Sequence, residues 1–151
     1  MLRDLTADDL PALLQLGREM HAEGVYAAYP MDEARVKFIL NRLLPLPDVL
    51  TIGYEIRGEL VGVFIGEVIQ DLWVDVLIAV NQMVYVRRSA RSSRAGYALL
   101  RAYSEWAEAR GADAMSFSVY AGINNEAVGR ALTKLGYAPA GGVFKKEVQH
   151  G

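Results

Sequence analysis

The stretch from Val86 to Leu100 carries an apolar run through a turn of arginine, serine and glycine directly into a helical pattern. That combination suits a phosphate. Four arginines, Arg87, Arg88, Arg91 and Arg94, fall within eight residues. The whole chain has 16 basic and 18 acidic residues, so this positive cluster is local and does not follow from overall composition. If a helix begins at the turn, its first N–H groups lack carbonyl partners and carry a partial positive charge, which together attract an anion. The same residues would also serve a solvated basic loop that only caps a helix. Gly96 alone does not separate the two.

The flanking elements must position that turn. Before it, Val76 to Val86 is rich in β-branched and aliphatic residues and reads as a buried strand. After it, a helix is expected from about Ser92 to Arg110, with Ala95, Ala98, Leu99, Ala102, Trp106 and Ala109 forming its apolar stripe. Upstream, Leu2 to Leu5 suggests a first strand, and Thr6 to Asp9 suggests the cap of a helix ending near Gly24. A second helix is expected from Asp32 to Leu44, with Val36, Ile39, Leu40 and Leu43 on one face and Pro45 and Pro47 ending it. Val49 to Ile56 and Leu60 to Ile69, joined by Arg57-Gly58-Glu59, read as a hairpin. Downstream, Ala114 to Tyr120 reads as a strand that must lie parallel to the one ending at Val86, because a helix connects them. A last helix carries Ala127, Val128, Ala131, Leu132 and Leu135 on one face and stops at Gly136. Tyr137 to Val148 suggests one or two final strands, broken at Gly141-Gly142.

These elements make one domain over residues 1–151 with an α/β fold: a central, mostly antiparallel mixed sheet with one parallel pair, flanked by helices. A chain of this length buries roughly 68–70% of its unfolded surface, enough for its own core. At 52% hydrophobic residues it is not a disordered chain. A net charge of −2 argues against general nucleic-acid or anionic-membrane binding. With no cysteine and only His21 and His150 as imidazoles, no disulfide, thiol nucleophile or metal site is expected. No apolar signal core opens the chain, and no run approaches the 18 or so apolar residues of a membrane span, so the expected location is cytoplasmic.

The order of elements and two local motifs resemble the GNAT superfamily of acyl-CoA-dependent N-acyltransferases. In that family the fourth strand leads into Gln/Arg-x-x-Gly-x-Gly/Ala, whose backbone N–H groups hold the coenzyme A pyrophosphate. Here the matching residues are Arg91-Ser92-Ser93-Arg94-Ala95-Gly96, with Arg94 in place of the first glycine. Its side chain would either crowd the pyrophosphate or point outward to contact the coenzyme's phosphates, and the small Ser92, Ser93 and Gly96 favour the second. The resemblance implies that Tyr85, Val86, Arg91, Ser92, Ser93, Arg94, Ala95, Gly96 and Tyr97 bind acetyl-CoA as co-substrate. It further implies a splayed parallel strand pair.

The second motif runs from Asn125 to Gly136-Tyr137 and resembles the family's asparagine-led helix, which makes Asn125 a candidate contact for the pantetheine arm. Asn124 or Asn125 would equally cap that helix. Where many members carry a proton-donating tyrosine, this chain has Leu132.

The implied activity is transfer of an acetyl group from acetyl-CoA to a primary amine, which needs an oxyanion donor, a base and a source of a proton for the thiolate. A backbone N–H around Met83 to Tyr85 would serve the oxyanion. Asn81 and Gln82 stand where some members have a catalytic glutamate, so Glu67, with Asp71 nearby, becomes the candidate base. Tyr120 becomes the candidate acid, with Tyr137 as an alternative, while His21 is a lesser titratable candidate. Tyr26 and Tyr29 occupy the family's acceptor wall and would bind a small-molecule or peptide amine. A homodimer is also implied. An acyl-CoA-binding module without turnover and a structural protein without ligand are the competing expectations.

Overall fold

The computed structural model describes residues 1–119 and 122–150. Its five strands form one sheet in the order β1 (Leu2–Asp4), β2 (Val49–Ile56), β3 (Glu59–Gln70), β4 (Leu77–Val86), β5 (Ala114–Met115). The first three pairings are antiparallel and β4–β5 is parallel. Helices α1 (Leu10–Glu23) and α2 (Glu33–Leu43) cover one face; α3 (Ala95–Ala109) and α4 (Asn125–Lys134) cover the other. The mixed, helix-flanked sheet read from the sequence is therefore the fold.

Each face has its own core. Leu13, Leu16, Leu40, Val63, Ile65 and Tyr85 pack on the α1–α2 side, and Phe64, Ala79, Leu99, Leu100 and Tyr103 pack on the α3 side. Alternation along β3 divides Val63 and Ile65 from Phe64, and all three are essentially without solvent contact. Such a central strand, buried on both faces, reads as a continuous apolar run.

One irregularity in β4 shapes the functional site. Ile65 pairs with Met83 but Gly66 pairs with Asn81, so Gln82 is an extra residue, a β-bulge. Before it, Ala79 faces α3; after it, Val84 and Val86 face α3 while Met83 and Tyr85 turn to the α1 side. One inserted residue exchanges the two faces of the strand. Gly66 permits this, because a Cβ there would lie 3.0 Å from the Phe64 ring and 3.1 Å from the Val80 carbonyl.

Several sequence expectations change. Helix α3 begins at Ala95 and not Ser92, because Arg88–Ala90 form a 3₁₀ turn and Ser93 donates its hydroxyl to Ala90 while accepting from the Ala95 N–H. The buried side of α3 includes Tyr103, which the predicted stripe did not contain and whose hydroxyl is satisfied by the Ser116 carbonyl at 2.9 Å. Ile39 lies at the edge of the α2 stripe and is 44% exposed. No strand forms between 137 and 150 among the described residues. Val143-Phe144-Lys145-Lys146-Glu147-Val148 would place a charge and an apolar residue on both faces of a strand, so neither face has a reason to bury. No helix among the described residues is long and apolar enough to cross a membrane.

Candidate active site

The parallel pair holds together only briefly. Ile78 and Ala79 pair with Ala114 and Met115, and the Ser116 N–H donates to the Ala79 carbonyl at 2.8 Å. The side chain of Asn81 then takes over. Its oxygen accepts from the Ser118 N–H at 2.8 Å and its amide nitrogen donates to the Ser118 carbonyl at 3.1 Å. A side-chain amide stands in for a strand edge and holds the two segments one side chain apart. Beyond it they separate, which is why β5 ends at Met115 and not near residue 120.

The separation opens a cavity of about 370 Å³. Met83 to Val86 form one wall, Phe117 to Val119 the other, Ala127, Val128 and Ala131 of α4 lie across it, and Gly96 and Tyr97 of α3 close one end. Apolar side chains dominate the lining, with a few polar groups at defined points. A second groove, lined by Ser93, Arg94, Tyr97, Arg101 and the Glu105 that pairs with Arg101 at 3.0 Å, shares Ser93 and Tyr97 with the cleft and continues it over the outer face of α3.

The arginine-rich turn divides by role. Arg87 makes a forked pair with Glu19, 3.0 Å from each oxygen, and also meets Glu59. Arg91 folds inward, donating to the Val86 carbonyl at 3.0 Å, lying 2.8 Å from Glu23 and stacking over the Tyr85 ring. These two fasten the turn to α1. Arg94 is exposed at the edge of the outer groove, the outward placement that the neighbouring small residues favoured. Gly96 opens onto the cleft, and a Cβ there would meet no protein atom closer than the Val86 methyl at 3.9 Å. Packing within the chain therefore does not demand glycine at this position. A ligand backing onto the first turn of α3 would.

Glu23 is the centre of the α1 attachment. Burial raises its carboxyl, but hydrogen bonds from Tyr85, at 2.6 Å, and Arg91 outweigh that and hold it below its ordinary value of 4.5. Burial first, and then Glu23, push the Tyr85 hydroxyl well above the usual tyrosine range, so Tyr85 stays a donor. A carboxyl held low in the fold contributes stability above its ordinary pKa and loses it as pH falls through the lowered value. Melting temperature should therefore fall more steeply below about pH 5 in the wild type than in Glu23→Gln, which is the less stable protein at neutral pH. Parallel acid limbs in the two melting series would remove Glu23 as a source of that dependence.

The remaining predicted residues fall in different places. Of the coenzyme candidates, Tyr85, Val86, Arg91, Ser93, Gly96 and Tyr97 line the cleft, whereas Ser92 does not and Ala95, the first residue of α3, is buried. Asn124 lines it in a left-handed conformation, and Asn125 begins α4 one residue further from it. Neither asparagine caps the helix through its side chain.

Glu67 does not line the cleft; it accepts a hydrogen bond from the side chain of Gln82, which does. Asp71 instead accepts from the Trp73 and Val74 N–H groups and shapes the β3–β4 turn. Tyr137 is packed against Ser104 and Met115, and Leu132 joins the α3-side core. Tyr120 lies outside the described residues.

Tyr26 and Tyr29 are exposed neighbours and do not line the cleft. Their ring centroids are 6.1 Å apart. Lys145 crosses to this pair, donating to the Val25 carbonyl at 3.0 Å and lying over the Tyr26 ring, while Tyr29 donates to Glu147. His21 meets the Tyr29 carbonyl at 2.7 Å and helps fix the same loop. Sequence reasoning did not find Asn81 or Gln82 as constructive residues, because a bulge leaves no periodic signal. Among the described residues no group of three metal-ligating side chains converges.

A mixed sheet opened between parallel strands onto a helix N-terminus defines an α/β protein with a cleft at the edge of its sheet. The acetyltransferase (GNAT) family model matches residues 11–137, and the chain belongs to that family. No curated protein matches it by sequence. Similar solved structures include a putative acetyltransferase from Agrobacterium tumefaciens, 17% identical with 98% of this chain and 99% of that one covered and a TM-score of 0.75. AAC(6')-Iy in complex with the bisubstrate analogue CoA-S-monomethyl-acetylneamine is 15% identical, covers 99% of this chain and 98% of its own, and has a TM-score of 0.73. A ribosomal-protein-alanine N-acetyltransferase from Brucella melitensis is 17% identical over 98% and 99%, with a TM-score of 0.67. At these identities the likeness is one of fold.

Proposed function

We propose that the protein is an N-acetyltransferase that moves an acetyl group from acetyl-CoA to a primary amine. The observation that carries this reading is the cleft between β4 and the segment after β5, which ends on Gly96 and the first turn of α3. The phosphates would lie at that turn and along the groove bearing Arg94 and Arg101, with the pantetheine arm between the splayed strands. Beyond Asn81, β4 keeps β3 on one edge but has no strand on its β5 side, and N–H groups near Met83 on that open edge are candidates for the thioester oxygen. The amine nitrogen bonds to the thioester carbon as the carbon–sulfur bond breaks; the amine's proton passes to water and the thiolate takes one up. Tyr120 is the candidate donor of the latter proton. Tyr26 and Tyr29 flank the side from which an amine of small-molecule or peptide type would approach, and Asn124, with Asn125 behind it, stands at the pantetheine end.

A second reading, an acyl-CoA-binding module without turnover, is favoured by one specific observation. No aspartate, glutamate or histidine lines the cleft among the described residues.

Thermal shift with acetyl-CoA beside dephospho-CoA tests the shared part. Free ligand at 100 times its dissociation constant should stabilise the fold by about 2.7 kcal/mol, less without the 3′-phosphate at equal concentration. Absence of any shift at millimolar ligand rejects both readings. Amine-dependent release of CoA thiol then separates enzyme from module.

A further inference from the structure

We propose that Gln82 receives the acceptor amine, with its carboxamide oxygen held toward the cleft by Glu67. This rests on the amine-acetylating reading above. Gln82 is the bulge residue of β4, without a partner across the ladder, so its direction is not dictated by sheet alternation. It is exposed and lines the cleft between Asn81 and Met83, just where β4 leaves its neighbour.

Its orientation is fixed by chemistry. Glu67 accepts a hydrogen bond from the Gln82 amide nitrogen. An ionised carboxylate can only accept, so the NH₂ end of the amide must face it and the oxygen must face away. Gln82 lines the cleft and Glu67 does not, so the oxygen is the end of the amide that Glu67 leaves to a molecule in the cleft.

The neighbouring polar side chains are already committed. Asn81 spends both ends of its amide on Ser118, and the Tyr85 hydroxyl donates to Glu23. Gln82 thus offers a fixed, uncharged acceptor at the mouth of the cleft. A primary amine can give one N–H to this oxygen while its lone pair points at the thioester carbon. As the carbon–nitrogen bond forms, the nitrogen becomes positive and that hydrogen bond strengthens, which is the difference that lowers a barrier. Gln82 would touch the substrate, and Glu67 would be a positioning residue that acts through it.

The test follows CoA thiol release from acetyl-CoA with ethylamine as the acceptor, in the wild type, Gln82→Ala, Glu67→Ala and the double variant, each with its melting temperature. Gln82→Ala should lower the ethylamine kcat/KM by about 10- to 100-fold, the range of a charge-assisted hydrogen bond, while the acetyl-CoA KM stays within about twofold. Glu67→Ala should give a smaller loss of the same kind, since the amide can then turn over, and the double variant should match Gln82→Ala alone. Unchanged ethylamine kinetics in Gln82→Ala, an equal rise in the acetyl-CoA KM, or losses that multiply in the double variant would each overturn the proposal. Wild-type protein that releases no thiol with ethylamine or with any of a panel of diamines, aminoglycosides and peptides with free N-termini removes the amine-acetylating reading itself, and this assignment with it.

Discussion

Phe64→Ala should destabilise the protein by about 3–5 kcal/mol, the range for removing a buried aromatic ring. The ring is without solvent contact, stacks on Tyr103 with centroids 4.6 Å apart, and tilts against Phe117 at 6.1 Å. At about 2–4 °C per kcal/mol for a domain of this size, the melting temperature should fall by roughly 6–20 °C. The effect should also reach the site. Phe117 forms part of the cleft wall, and without Phe64 behind it the segment after β5 loses its support on the α3 side. Phe64→Leu, which fills most of the space, should cost less than half as much. A melt of Phe64→Ala within about 1 kcal/mol of wild type would mean that the core collapses around the missing ring.

Asn81→Ala should lower acetyl-CoA affinity by at least about tenfold, the counterpart of roughly 1.4 kcal/mol. Two hydrogen bonds to Ser118 are lost, each worth about 0.5–1.5 kcal/mol, so the fold should lose about 1–3 kcal/mol as well. Asn81→Asp separates the two bonds. Its carboxylate still accepts from the Ser118 N–H, but its second oxygen faces the Ser118 carbonyl, where a donor is required. It should therefore bind acetyl-CoA more weakly than wild type although the residue keeps its size. Hydrogen exchange at the Ser118 amide reports the lost contact directly, rising in Asn81→Ala and less in Asn81→Asp. If coenzyme affinity survives in both, the β4 bulge alone sets the spacing of the cleft.

Both residues show how far the sequence could be read. Val63, Phe64 and Ile65 announce a central strand, because nothing but burial on both faces explains such a run. The stripe on α4 and the arginine-rich turn after β4 were legible in the same way, from period and from charge. Asn81, Gln82 and Gly66 were not. A bulge is a mismatch between two strands, and each strand read alone keeps an acceptable pattern. Arg91 was legible as a cation beside a helix start, yet its charge is taken up by Glu23, 68 positions before it in sequence from 91 to 23.

The amino-acid sequence by itself determined the order of strands and helices, the parallel crossover, the two apolar faces and the glycine that leaves the start of α3 open, since periodicity, turn chemistry and chirality act over short stretches of chain. Tertiary structure alone decided which arginines are spent on α1 and that Glu67 reaches the cleft only through Gln82. Those outcomes depend on partners distant in sequence competing for the same hydrogen bonds, and no local pattern records who wins.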